Sequence, residues 1–238
     1  MTRQIVLSLY DFTGEALRPW AEAGYDCHAF DIQHDDNRVD TFTDGGSITY
    51  HKADLHNIDN LFEILEVYQG QDVAFGMAFP VCTDMAVSGA AHFARKAEAD
   101  PSFQDKAVNY AMWCGELFED LRIPYFIENP VSVLATKWRK PDHRFQPYEF
   151  GGYIPLCQAD HPRWPEYIAA RDAYPKKTCL WTGGNFVMPE RKPVAVADGY
   201  STQHLKLGGK SQRTKDIRSA TPRGFAVAIY ESNKGELS

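Results

Sequence analysis

The sequence predicts an α/β protein whose strands form a parallel sheet with helices on both faces, and three observations carry that reading. Short apolar runs alternate with segments of helical period over roughly the first 135 residues. One such run, Val73 to Phe79, leads into Pro80-Val81-Cys82, and another, Tyr125 to Ile127, leads into Glu128-Asn129-Pro130. A thiol and a carboxylate therefore both fall at the carboxyl ends of strands, the edge on which open α/β sheets build their sites.

Gln4 to Tyr10 is the first strand and Gly14 to Ala23 the first helix. Asp26 to Asp31 is the second strand, ending in an acid, and Ile48 to Ala53 is the third, followed at once by Asp54. From Asn57 to Tyr68 the apolar residues Ile58, Leu61, Phe62, Leu65 and Val67 recur close to helical spacing and lead into the Val73 strand. Two helices follow, around Asp84 to Glu98 and Phe103 to Leu121, divided at Asp100-Pro101 because a residue before proline is pushed out of helical backbone. Tyr125 to Ile127 is the fifth strand.

Beyond it the texture changes. Nine prolines, from Pro130 to Pro193, are scattered among aromatic and basic residues, and regular alternation cannot persist through that density. A small inserted region is expected over 136–200, with the main domain formed by 1–135 and 201–238; Lys177 to Trp181 is the best strand inside the insertion. Thr221 to Tyr230 reads as a capped helix with Pro222 near its first turn.

The 238 residues suffice for one large domain, or one domain with an insertion, and 44% hydrophobic content supports an ordinary core. A formal charge of -7 and a pI near 5.6 argue against a general polycation that coats nucleic acid, while permitting a local basic face. The cysteines, Cys27, Cys82, Cys114, Cys157 and Cys179, are dispersed without a C-x-x-C pair, which points away from a disulfide framework or zinc ribbon. No apolar run is long enough to span a bilayer, and the first residues pass straight into a strand. A soluble cytoplasmic protein with no membrane partner is expected.

Five motifs stand in order at the strand ends: Tyr10-Asp11-Phe12-Thr13-Gly14, Phe30-Asp31-Ile32, Ala53-Asp54-Leu55, Pro80-Val81-Cys82 and Glu128-Asn129-Pro130. Together they resemble the DNA cytosine-5 methyltransferases, especially short members encoded by phages and prophages, over nearly the whole chain. The family pattern has an acid and a first glycine where this chain has Ser8 and Phe12, a second proline in place of Val81, and Arg-x-Arg in place of Lys177-Thr178-Cys179.

The resemblance implies a class-I S-adenosylmethionine-dependent methyltransferase fold, Rossmann-like, acting on double- or single-stranded DNA. Its cofactor S-adenosyl-L-methionine would be held by Tyr10, Phe12, Thr13, Gly14, Asp31, Ile32, Asp54, Leu55, Pro80 and Ser219. Cys82 would add to carbon 6 of a flipped cytosine, making carbon 5 nucleophilic, and Glu128 would hold or protonate ring N3. Lys177 would touch the base or its phosphate, as a lysine without the bidentate fork of arginine. Asn129 would brace the Glu128 loop.

Residue by residue, other readings stand beside these. Asp31 suits ribose hydroxyls or a solvated turn, and Asp54 suits an adenine amino group or the N-cap of the Asn57 helix. Lys206, Lys210, Arg213, Lys215 and Arg218 read as a flexible, glycine-hinged loop for phosphate contacts, or a lid, or as an ordinary solvated loop. Trp138, Trp164 and Tyr167 suit base stacking on a single strand, or a miniature core of the insertion. Two further functional readings remain open: related group transfer with a modified cofactor, a free nucleotide or RNA cytosine, and a DNA-associated protein without turnover.

Overall fold

A computed structural model describes residues 3–35, 38–196 and 211–235. The chain divides into two compact units. The first comprises Met1–Phe12, Trp20–Arg144 and Thr178–Phe186, and the second Thr13–Pro19, Phe145–Lys177 and Val187–Ser238.

The strands are β1 (Ile5–Leu9), β2 (Asp26–Asp31), β3 (Arg38–Thr41), β4 (Ser47–Lys52), β5 (Val73–Ala78), β6 (Tyr125–Pro130), β7 (His143–Phe145) and β8 (Thr178–Gly183). They form one sheet in the order β3-β4-β2-β1-β5-β6-β8-β7. β4, β2, β1, β5 and β6 run parallel, while β3 is antiparallel to β4 and β8 antiparallel to β6. Chain order thus reverses at β1, the switch point at which doubly wound sheets open a crevice. All five residues of β1 are buried, as a parallel strand covered on both faces requires.

The helices of the first unit follow from these strands: α1 (Arg18–Glu22), which begins at the boundary, then α2 (Ile58–Tyr68), α3 (Phe93–Ala99), α4 (Phe103–Leu121) and α5 (Leu134–Lys137). Neighbouring residues of β5 show how both faces are covered. Phe75 stacks on Trp20 of α1, with ring centroids 5.2 Å apart, and the next residue, Gly76, faces Phe118 of α4. Trp20, Phe75 and Phe118 are fully buried, each worth about 1.5–3 kcal/mol or more by removal of apolar surface from water. A Cβ on Gly76 would lie 2.5 Å from the Phe118 ring, so only glycine lets α4 approach this closely.

α2 is capped by Asn57, whose side chain accepts from Asp59 N at 3.1 Å, so the cap is Asn57 and not Asp54. Its buried face is Leu61, Ile64 and Tyr68, while Phe62 and Val67, counted with the apolar face in the sequence, are more than half exposed. α4 buries Ala107, Val108, Ala111, Cys114, Leu117 and Phe118 along one stripe and stops at Arg122, which takes a left-handed φ of 58°.

Several segments differ from the sequence expectation. β3 was not expected: it is four residues long, mostly exposed, at the sheet edge, with no apolar alternation to announce it. Residues 84–98 hold a 3-10 turn over Val87–His92 and the short α3 instead of one long helix. β8, placed by sequence in the insertion, pairs along the full length of β6 and belongs to the sheet. Trp138 packs on the core of the first unit and stacks on Trp181, which sets it apart from a base-stacking platform.

In the second unit α6 (Gln212–Ser219) and α7 (Arg223–Asn233) follow one another. α6 replaces part of the expected loop; Ser211 caps it, accepting from Thr214 N at 3.2 Å. α7 packs on the turn Pro147–Tyr153, with Phe225 stacked on Phe145 at 4.0 Å and edge-on to Phe150 at 5.3 Å. The C-terminal helix therefore belongs to the unit that holds 145–177, whereas the sequence boundaries assigned it to the main domain.

On β2 and β4, His28 Nδ1 and His51 Nε2 share a hydrogen bond of 2.8 Å. Burial lowers both rings' pKa values, that of His51 to about 4 with further lowering by His28 and His34, while Asp26 partly offsets the shift. A depressed histidine takes up fewer protons folded than unfolded, so its stabilisation is complete above the unfolded value near 6.5 and is lost toward pH 4. Urea unfolding at pH 7 and pH 5 is expected to show lower stability at pH 5. The pH dependence is expected to be smaller in His51→Phe.

Candidate active site at the carboxyl edge of the sheet

Five parallel strands bring Tyr10, Asp31, Asp54, Pro80 and Glu128 to one edge of the first unit. Ala78 and Ile127 form the last pair of the β5–β6 ladder, β6 runs on through Glu128 to Pro130 against β8, and Phe79 N donates to Leu9 O at 3.0 Å, tying the β5 end to β1. The next residues carry the chemistry. Asn129, fully buried, donates from Nδ2 to Pro80 O at 3.0 Å. One amide thus joins the residue after Glu128 to the residue two before Cys82.

Two further bonds close the same seam: Val87 N donates to Val131 O and Val133 N to Met85 O, both at 3.0 Å. Cys82 O accepts from Met85 N and Ala86 N at 3.0 and 2.8 Å, which makes the thiol-bearing segment a tight turn. Lys96 of α3 holds that turn from the side, through Asp84 and the Thr83 carbonyl. Cys82 and Glu128 are both half-buried, reachable yet fixed. The bracing of Asn129 is therefore broader than expected, since it reaches the thiol loop as well as the Glu128 strand.

On the other side of β1, Tyr10 has a left-handed φ of 57° and its hydroxyl donates to Leu55 O at 2.7 Å. Burial, and then the nearby Cys114, Tyr110, Asp54 and Asp31, push the Tyr10 pKa far up, so the phenol stays a neutral donor. Leu55 is a core residue, and its carbonyl is taken by Tyr10. Asp31 is buried and its Oδ1 accepts from Gln33 N at 2.8 Å and Gln33 Nε2 at 3.3 Å, while Ile32 beside it is 56% exposed. Phe12 stacks on His34 at 5.7 Å, and His34 Nε2 reaches the Asp11 carbonyl at 3.0 Å. Asp54 is exposed and its Oδ1 accepts from His56 N at 3.1 Å. A cleft of about 340 Å³, lined by Phe30, His51, Asp54, Glu63 and Tyr68 among others, includes Asp54 alone of the expected cofactor residues.

The remaining expected residues divide between the units. Thr13 and Gly14 belong to the second: Glu15 N donates to Thr13 Oγ1 at 3.3 Å, and Gly14 takes a φ of 68°, the conformation that favours glycine. Lys177 is exposed and directly precedes Thr178, which pairs with Pro130 at the end of β6. Arg213, Lys215 and Arg218 are exposed on α6, with Arg213 over the Tyr167 ring at 5.4 Å, and Ser219 ends that helix. Lys206 and Lys210 lie outside the described residues.

No helix among the described residues is long and apolar enough to cross a membrane, and none of their acidic, cysteine and histidine clusters has metal-binding geometry.

No family model matches the chain, and no curated protein does. Among solved structures it is similar to a candidate DNA modification methyltransferase encoded within an E. coli prophage, at 14% identity and a TM-score of 0.45. The likeness covers 81% of this chain and 53% of that one, so the chain spans about half of that protein's length. A likeness that distant bears on neither chemistry nor substrate.

Native alkylation is expected to modify the exposed Cys157 and the half-buried Cys82, and to spare Cys27, Cys114 and Cys179, which are buried. Burial pushes the Cys27 and Cys114 thiols well up, adding to their inertness. Asn129→Leu leaves the Pro80 carbonyl without its donor and is expected to cost about 1–3 kcal/mol. Peptide mass mapping is expected to show faster Cys82 labelling in that variant, with Cys157 unchanged.

Proposed function

We propose that the protein transfers a methyl group from S-adenosylmethionine to carbon 5 of a flipped cytosine in DNA. The observation that supports this most is the Asn129–Pro80 bond, which couples the Cys82 turn to the Glu128 strand end beside the switch point. A nucleophile at carbon 6 and an acid at N3, atoms that lie across the ring from one another, need a fixed spacing, and a buried amide bridging their two loops helps to hold it.

Cys82 Sγ, as the thiolate with its proton given up to solvent, adds to carbon 6 of the cytosine, forming the S–C6 bond and moving electron density to carbon 5. Glu128 holds the proton at N3, which draws charge from carbon 6 as the bond forms. Once carbon 5 carries the methyl group it loses its proton, the S–C6 bond breaks, and Cys82 leaves with its electron pair. The departing proton passes to solvent.

S-adenosylmethionine supplies a methyl group on a positively charged sulfur, whose bond to that methyl would break to leave the neutral thioether S-adenosylhomocysteine. The edge beside β1 suits such a cofactor. Asp31 uses Oδ1 within its turn, leaving the other oxygen to face ribose hydroxyls, and the exposed Ile32 offers an apolar surface for a base. Tyr10, Phe12, Thr13, Gly14, Asp54, Leu55, Pro80 and Ser219 complete the proposed cofactor set. Leu55 acts through its place in the core and Pro80 through its carbonyl. Lys177 is assigned to the substrate phosphate, and Arg213, Lys215 and Arg218, with Lys206 and Lys210, to the DNA backbone.

DNA containing 5-fluorocytosine, incubated with S-adenosylmethionine, is expected to give a covalent adduct that survives denaturing electrophoresis. Cys82→Ser is expected to give none, and Glu128→Gln to slow adduct formation by about 10²–10⁴-fold. No adduct on any cytosine-containing DNA, with cofactor binding intact, would sink the proposal.

A further inference from the structure

In the second unit, basic groups from three separate stretches of sequence gather around a buried acid. The Glu15 side chain, 1% exposed, faces Arg18 Nε at 3.6 Å through Oε2 and Arg163 Nη1 at 3.4 Å through Oε1. His161, itself buried, accepts at Nδ1 from the backbone N–H groups of Arg163 and Trp164, both at 3.2 Å. Arg223, at the head of α7, donates from Nη2 to the carbonyls of Gln158, Ala159 and Asp160 at 3.1, 3.0 and 3.1 Å, the residues that lead into His161.

The protons decide what this cluster lacks. Because Nδ1 of His161 is the acceptor, a neutral ring carries its proton on Nε2. The ring is neutral: burial, followed by the fields of Arg223, Arg163 and Arg18, lowers its pKa to about 4. Its Nε2–H is a buried donor without an acceptor among the described residues, and so is Arg223 Nε–H. Buried donors are rarely left without a partner.

The guanidinium groups of Arg18, Arg163 and Arg223 all act on the His161 ring, and Arg223 acts also on the Asp172 carboxylate, which accepts from Gly224 N at 2.8 Å. Arg18 and Arg163 keep 44% of their side chains exposed, so the cluster is reachable from solvent on their side.

We propose that Arg18, Arg163, Arg223 and His161 form a phosphate-binding site, with His161 Nε2–H and Arg223 Nε–H as its inner donors. A phosphate group offers several acceptor oxygens to donors arriving from different directions, and guanidinium forks suit it. Glu15 competes for Arg18 and Arg163, so the affinity is expected in the millimolar range. The site does not depend on methyl transfer, and its failure would leave the role of Cys82 untouched. The phosphate belongs either to a free mononucleotide or inorganic phosphate, or to the backbone of a nucleic-acid strand.

The test is thermal unfolding of the full chain, without S-adenosylmethionine, in sodium phosphate against sodium chloride at equal ionic strength. The wild type is expected to gain about 2–4 °C, saturating with phosphate, as mass action on the folded state requires. Arg163→Gln is expected to lose the saturable gain and Arg163→Lys to keep part of it; Arg18→Gln serves if Arg163→Gln does not fold. A gain that never saturates, or one equal in wild type and Arg163→Gln, reflects general exclusion of phosphate from the surface and would overturn the proposal.

The source is read with dCMP and an oligonucleotide lacking terminal phosphates. If dCMP reproduces the saturable shift and the oligonucleotide binds Arg163→Gln as it binds wild type, the ligand is a phosphate monoester. If Arg163→Gln weakens oligonucleotide binding and lowers its salt slope by about one, the ligand is the strand backbone. Binding of none of the three probes, with wild type and variant both folded, overturns the site.

Discussion

The parallel pairing of β1 with β2 on one side and β5 on the other is the constraint from which the arrangement of the first unit follows. Parallel neighbours require crossover connections, so helices must cover both faces and the parallel strands β4, β2, β1, β5 and β6 must all run toward the same edge. The alternation of Phe75 and Gly76 along β5 shows how tightly that is enforced: one face takes Trp20, the other has no room for a methyl group beneath Phe118. Because the strands are fixed by burial on both faces, the residues just past their ends are fixed as well. The seam from Asn129 to Pro80 is the local completion of that constraint, a polar bond made where the ladder between β5 and β6 runs out.

Elements set by their own residues were legible in the sequence. β2 was read with its observed bounds because an apolar run closes on an acid, and α4 because Asp100-Pro101 breaks the chain before a long periodic stripe. Elements set by distant partners were not legible. β3 is short and polar, and becomes a strand only through antiparallel pairing with β4. β8 was visible as a strand, yet nothing local says that it joins β6. α6 is polar enough to pass for a loop, and its buried Thr214 and Ile217 gain their meaning only from the core around Ile168 and Tyr174.

The site divides in the same way. Cys82 and Glu128 were legible because each follows a short apolar run, although β6 extends through Glu128 to Pro130; the bond that couples their segments was not, since 49 positions separate Asn129 from Pro80. The link from Tyr10 to Leu55 was hidden for the same reason, since 45 positions separate the two residues whose bond ties the loops after β1 and β4 together. The cluster around Glu15 and His161 draws on residues 15, 18, 161, 163 and 223, a set that no window of sequence could assemble.

The antiparallel placement of β8 between β6 and β7 has an architectural consequence. The chain leaves the sheet at β7 and returns at β8, its immediate neighbour, so the segment between them starts and finishes on adjacent strands. Closing a longer loop between fixed ends adds only about 0.6 kcal/mol for each doubling of length. Lengthening is therefore cheapest at its exposed turns, such as the one that carries Leu156, 79% exposed, while Pro147–Tyr153 and Asp172 are held by α7 and tolerate little change.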